Sequence, residues 1–281
     1  MNAYQRLLTI QDISCVGQCS LTVALPILSA CGMETCILPS AVLSTHTGGF
    51  TGYTFRDLTD DIPAIAAHWK KEGILFDAFY TGYLGSERQI DMVLDIFSSL
   101  PRGKATRYVD PAMADNGKLY AGFDADFVNA MRKLARSADV LLPNITEACL
   151  LTGLPYFARP TRDKVSELIG ALRCLCAGTI VLTGVGYEEG KTGVVVADEH
   201  TIDHYEHELI SQGCHGTGDV FASAYVGCSM RGFNPLEAAK AAADYTVLCI
   251  KNTLGDDSHR YGVKFETALP YLIDRLNARE A

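Results

Sequence analysis

A chain of 281 residues that is 48% hydrophobic can bury a sizeable core, while a formal net charge of −9 with interspersed acids and bases excludes the basic stripe of a nucleic-acid binder. No apolar run reaches membrane-spanning length, and the opening MNAYQRLLTIQDIS is patterned as a strand rather than a secretion signal. The expected setting is cytoplasmic, with the ten cysteines reduced and most of them buried as small hydrophobes.

Strand-like apolar runs alternate with helical patterns along most of the chain. Residues 6–13 (RLLTIQDI) read as a strand and 20–32 as a helix stopped by Gly32. METCILP follows as a strand, then 60–73 as a helix with acids at its start and lysines near its end. FDAFYTGY leads into a helix over 87–98, TRYVDP into one over 124–137, and DVLLPN into ITEACLLTG. A helix over 163–177 precedes the strand TIVLTG. The alternation predicts βαβ units and a largely parallel sheet with helices on both faces.

The pattern then changes. KTGVVVADEHTIDHYEHEL predicts a hairpin turning near 198–200, followed by helices over 217–231 and 235–251 and a last one ending near residue 279. With no linker or repeat, the expectation is a single domain over 1–281: a three-layer α/β/α fold with a central, mostly parallel sheet and a hairpin in the C-terminal third.

Ligands of such sheets bind beyond the carboxyl ends of the strands. The residues expected there are Asp12, the loop 44–49, Gly82 and Tyr83, Asp110, Asn144, and Thr183 with Gly184. They are polar and glycine-rich for segments that follow apolar strands.

Four segments carry chemistry. GTGD, formed by Gly216, Thr217, Gly218 and Asp219, opens a helix, where backbone amides can cradle an anion and Asp219 could accept a proton from an attacking hydroxyl. The plainer reading of Asp219 is an acid stabilising a helix start. PNITEA puts Asn144 and Glu147 three residues apart, suited either to Mg²⁺ beside a nucleotide or to a reciprocal helix cap. VDPAMADNGKLY carries Asp110 and Asp115, either cation-holding acids or turn formers. STHTGG offers hydroxyls and an imidazole for a polar ring, or is an ordinary loop.

Two segments are decoys. GVGYEEGKTG lacks the first glycine of a phosphate loop and precedes a strand. His204 and His207, three apart on a strand, point to opposite faces, so they and His200 belong to a solvated hairpin rather than a metal cluster.

Together these segments resemble the ribokinase-like superfamily, and within it the pyridoxal/pyridoxamine (vitamin B6) kinases. TIQDISCVGQCS resembles that family's opening segment, LSTHTGG its substrate loop and TGYLGS its third-strand end. VDPAMADNGKLY resembles its paired-aspartate segment, LLPNITEA its N-x-x-E segment and GTGD its anion hole with base. The resemblance implies ATP-dependent phosphorylation of the 5′-hydroxyl of a B6 vitamer, with Asp219 as base and Gly216, Thr217 and Gly218 as the anion hole. It implies Glu147 and Asp115 near Mg²⁺, Asp110 and Thr183 at a cation or phosphate site, and Asn144, Tyr120 and Gly184 on the nucleotide side. Thr47 and Tyr83 would face the substrate ring, with His46 and Asp12 nearby. A monovalent cation such as K⁺ and a homodimer are further implications.

Asp12 stands where many relatives carry serine, which points toward a protonated ring nitrogen or an aminomethyl group. Cys214, two residues before the anion hole, is either a bystander or a thiol that could add reversibly to an aldehyde substrate. The nearest alternative is a hydroxymethylpyrimidine kinase of thiamine synthesis, many of which carry cysteine at the position of Asp219.

Overall fold

The computed structural model describes residues 4–210, 215–259 and 261–278. The first half runs β1 (Arg6–Ser14), α1 (Leu21–Ala30), β2 (Glu34–Leu43), β3 (Phe55–Asp57), α2 (Ile62–Lys71), β4 (Phe76–Thr81), α3 (Glu87–Ser99), β5 (Pro101–Val109), β6 (Ala114–Asp115) and β7 (Lys118–Leu119). The second runs α4 (Ala125–Arg136), β8 (Val140–Leu141), α5 (Ile145–Thr152), α6 (Arg162–Arg173), β9 (Thr179–Thr183), β10 (Lys191–Ala197), β11 (Ile202–Glu208), α7 (Thr217–Met230), α8 (Pro235–Thr253) and α9 (Leu269–Asn277).

The main sheet has the order β11-β10-β9-β8-β5-β4-β1-β2-β3. From β9 to β2 every pairing is parallel, while β3, β10 and β11 are antiparallel additions at the two edges. The chain leaves β1 to form β2 on one side and returns to form β4 on the other. That reversal opens a crevice at the carboxyl ends of β1 and β4, where open α/β sheets bind ligands.

Alternation along the strands feeds two cores. Leu8, Ile10 and Phe79 pack with Ile90, Val93, Met131 and Leu168 beneath α3, α4 and α6. Leu7, Ala78 and Tyr80 pack on the opposite face with Val23, Ile27, Val220, Ala242 and Leu272 from α1, α7, α8 and α9. The layers are therefore α/β/α, as the sequence pattern predicts. Helix starts follow their capping residues: Asp124 accepts from the amides of Asp126 and Phe127, and Asn234 with Glu237 forms a reciprocal cap on α8.

The hairpin forms as expected. Asp198 Oδ1 accepts from the amides of His200 and Thr201 at its turn, both at 2.8 Å. His204 Nε2 contacts the Val185 carbonyl and His207 Nδ1 the Glu208 carbonyl, so the histidines diverge, and no cluster that could hold a metal ion exists among the described residues. Gly190 is the positive-φ end of a turn into β10 rather than part of a phosphate loop. Five of the nine described cysteines are buried; Cys15 and Cys174 are exposed instead, and all nine are free thiols. No helix among the described residues is long and apolar enough to cross a membrane.

Two small elements depart from the sequence expectation. β3 adds an exposed antiparallel edge beside β2. The 114–119 segment folds as a two-residue hairpin through Asn116 (φ 50°) and Gly117 (φ 76°), the two positive angles that such a turn requires.

Candidate active site

Four loops interlock around the first turn of α7. Gly216 (φ 74°) lies directly against the carbonyl of Gln18, leaving no space there for a side chain. The Gln18 amide donates to the Tyr261 carbonyl at 3.0 Å, and His46 Nε2 reaches the same oxygen at 3.0 Å. His46 Nδ1 accepts from the Gly48 amide at 2.9 Å, which fixes the neutral tautomer with its proton on Nε2. Burial, helped by His215, lowers the proton affinity of this imidazole. Both nitrogens are thus engaged by backbone. His46 therefore clamps the 44–50 loop, and Thr47 next to it is exposed.

Asp219 stands in the first turn of α7 and is half-buried. Groups packed around its carboxyl raise its pKa to about 7: desolvation dominates, the Ser20 amide opposes it, and Asp12 adds repulsion. Ser20 has φ 50°, a strained angle for a residue with a side chain, and its hydroxyl also serves Asp12. Asp12 is 5% exposed, takes a hydrogen bond from Ser14 Oγ at 3.2 Å, and is held above the ordinary carboxylate range by burial. Tyr83 stacks on Phe123 with ring centroids 5.5 Å apart, and its phenol is pushed up to about 12 by burial and then by Asp12. The charge of Asp12 therefore acts on both Tyr83 and Asp219.

A second group of acids lies beside this one. Asp110, at the end of β5, is raised by desolvation and then by Glu147 and Asp219. Glu147 is 3% exposed, and its oxygens accept from the amides of Met113 at 3.2 Å and Asn144 at 2.9 Å. Asn144 Oδ1 accepts from the Glu147 amide at 2.9 Å, completing a capping box on α5. Its Nδ2 donates to the Ala114 carbonyl at 2.8 Å, and its backbone bridges to Thr183, beside Gly184 (φ 79°). The helix-cap reading of Asn144 and Glu147 is thus realised, with the carboxyl still close to Asp110.

Asp115 takes the turn-forming role: it is exposed, and its two oxygens accept from the backbone and side-chain nitrogens of Asn116 at 2.8 and 3.0 Å, while its charge still acts on Glu147. The β6–β7 turn, rather than the sheet rim, sets its direction. The Tyr120 ring is 41% exposed, yet its hydroxyl is partly desolvated near Glu147 and Asp110, which raise its proton affinity. Cys214 lies outside the described residues. Sequence reasoning missed Ser20, whose only signal was its place just before α1, and Gln11 and Tyr80, buried polar groups within apolar strands.

The described chain thus combines an α/β/α sheet of ribokinase-like topology with an acid at an amide-rich helix start. The phosphomethylpyrimidine kinase family model matches residues 28–263, and the chain belongs to that family. It is 36% identical to a Bacteroides thetaiotaomicron protein assigned as a phosphomethylpyrimidine kinase and crystallised with pyridoxal, with a TM-score of 0.90 and 96% of each chain covered. It is 31% identical to Lactobacillus plantarum pyridoxal kinase, with a TM-score of 0.91 and 98% of each chain covered. The pyridoxine/pyridoxal/pyridoxamine kinase of Bordetella pertussis is 26% identical over 263 residues, covering 87% of this chain and 88% of the relative.

Proposed function

We propose that the protein transfers the terminal phosphoryl group of ATP to the 5′-hydroxyl of a B6 vitamer. The observation that carries this reading is Asp219: a carboxyl with a pKa of about 7 at a helix start lined by Gly216, Thr217 and Gly218. A base near neutral pH is matched to drawing a proton from an alcohol, and the amides beside it suit the charge that develops on the transferring phosphoryl oxygens. The pyridoxal-bound relative and the B6 kinases above support a pyridine alcohol as acceptor.

In this reading Tyr83 and Thr47 border the ring and Asp12 faces its nitrogen or 4′-substituent. Asn144, Thr183, Gly184 and Tyr120 border the nucleotide. The buried carboxyls of Asp110 and Glu147 form an oxygen donor set that fits Mg²⁺ held partly by water and nucleotide phosphate. Asp115 would act only through water or after leaving Asn116. Mg²⁺ bound there supplies neutralisation of phosphate charge. A K⁺ requirement, a homodimer and a cytoplasmic location belong to the same reading.

The test is a coupled ADP-release assay with pyridoxal, pyridoxamine, pyridoxine and hydroxymethylpyrimidine. Turnover of a B6 vitamer at least ~10-fold above hydroxymethylpyrimidine is expected, a difference of about 1.4 kcal/mol in transition-state binding. Turnover of hydroxymethylpyrimidine alone would replace this reading with the thiamine-pathway one.

A further inference from the structure

Behind the acids, on the α7 side of the sheet, lies a cluster of buried polar side chains that the reaction as described does not use. Tyr80 of β4 pairs with Thr9 of β1 and Tyr108 of β5, and it projects into the same face as Val220 and Ala224. Ser223 is four residues beyond Asp219, so both lie on one face of α7. Gln11 is held from behind by its Nε2, which donates to Thr9 Oγ1 at 2.9 Å. Gly82 leaves room for it, since a β-carbon there would lie 2.6 Å from Gln11 Oε1.

Gln11, Tyr80 and Ser223 are all 0% exposed. The Tyr80 hydroxyl faces both Ser223 and Gln11, yet Tyr80 OH, Ser223 Oγ and Gln11 Oε1 have no partner in direct hydrogen-bond geometry. Three buried polar atoms around one point, two able to donate and all able to accept, are the environment that holds an internal water. Leaving them dry would cost about 1–3 kcal/mol for each unsatisfied group.

We propose that Tyr80, Ser223 and Gln11 enclose an internal water site that ties α7 to β1 and β4 beneath Asp219, and that Tyr80 is a positioning residue for phosphoryl transfer. It touches no substrate. Its effect passes through the water and Ser223 to the helix turn that carries Asp219. Groups on each neighbouring element also act on that turn: Asp12 on β1, Cys19 and Ser20 before α1, Asp110 after β5, and Tyr120 after β7. Tyr80 supplies a donor that these acids lack. The catalytic part of the inference rests on the kinase reading above; the water site does not.

A crystal structure of the whole protein at a resolution that orders solvent tests the site itself. A water within hydrogen-bond distance of all three oxygens is expected; a direct Tyr80–Ser223 hydrogen bond with no water there would overturn it. Tyr80→Phe and Ser223→Ala, assayed with the best B6 vitamer, test the positioning role. Each should lower kcat about 3- to 30-fold with KM for ATP and vitamer within about twofold, and should move the ascending limb of the kcat/KM profile to higher pH. Because both hold one water, the double variant should be no worse than the poorer single one. Multiplicative losses, or lowered melting temperature with an unmoved pH limb, would reduce Tyr80 to a packing residue. Absence of turnover in the unmodified protein would count against the kinase reading and leave the crystallographic result standing.

Discussion

Gly216 and Gln18 interlock: the glycine's α-carbon faces the glutamine carbonyl so closely that a methyl group would overlap it. This contact joins the loop after β1 to the turn that opens α7, and it requires both a missing side chain and a left-handed backbone. Gly216→Ala should therefore combine a conformational penalty of about 1–2 kcal/mol with a steric clash. The expected result is a lower melting temperature and a kcat reduced about 10²-fold or more, because the amides of the turn shift from their positions. Full activity in this variant would mean that the turn does not shape the anion site.

Asp219→Asn keeps the size of the side chain and removes the proton acceptor. A fall in kcat of about 10²–10⁴ is expected, with ATP affinity little changed in equilibrium titrations. Near-normal turnover would remove Asp219 from the reaction.

The pH dependence follows from the same group. As the proposed base, Asp219 would have to be ionised to act, so kcat/KM should rise with pH through a limb near about 7, and this limb should vanish in Asp219→Asn. Stability should run the other way. The folded pKa of about 7 exceeds the ordinary 3.8, so the contribution to stability is fully present below pH 3.8 and is lost as pH rises through 7. Asp219→Asn should accordingly melt at a higher temperature than the unmodified protein at pH 8, with the difference shrinking toward pH 4. Calorimetry across that range would show it.

Glu147 serves the α5 cap whatever else it does. Glu147→Gln places an amide group against one of two backbone donors, at a cost of about 1–3 kcal/mol. If the carboxyl also helps hold Mg²⁺, the metal concentration for half-maximal rate should rise. A lower melting temperature with an unchanged metal titration would assign it to the cap alone.

His46→Ala removes both backbone tethers of the 44–50 loop, each worth about 0.5–1.5 kcal/mol. Steady-state kinetics should show KM for the vitamer raised severalfold and kcat nearly unchanged. The opposite split would place the imidazole in the chemistry.

Much of this arrangement is legible in the chain. The strand–helix alternation gives the parallel sheet, and the positions at or just beyond the carboxyl ends of successive strands give Asp12, Asp110 and Asn144 at one edge. Asp219 follows from the glycine-rich helix start. What escaped depends on distant contacts or on signals too short to weigh. The role of His46 is set by the Tyr261 carbonyl, 215 residues away. β3 is three exposed residues with no apolar alternation. The Asn116–Gly117 pair did carry a hairpin signal, but the neighbouring aspartates drew a ligand reading, and only the folded turn shows Asp115 bonded to Asn116. Tyr80 and Gln11 look like ordinary members of buried strands until their unmatched oxygens are seen together.

Asp12, Asp110, Glu147 and Asp219 all hold hydrogen ions more tightly than isolated carboxylic acids do. Loading of a cation–nucleotide complex should therefore expel them into the solvent, and the heat of association measured near neutrality should vary with the ionisation enthalpy of the buffer. The rim would then act as an exchanger, and acidification would weaken nucleotide loading before it touched the fold.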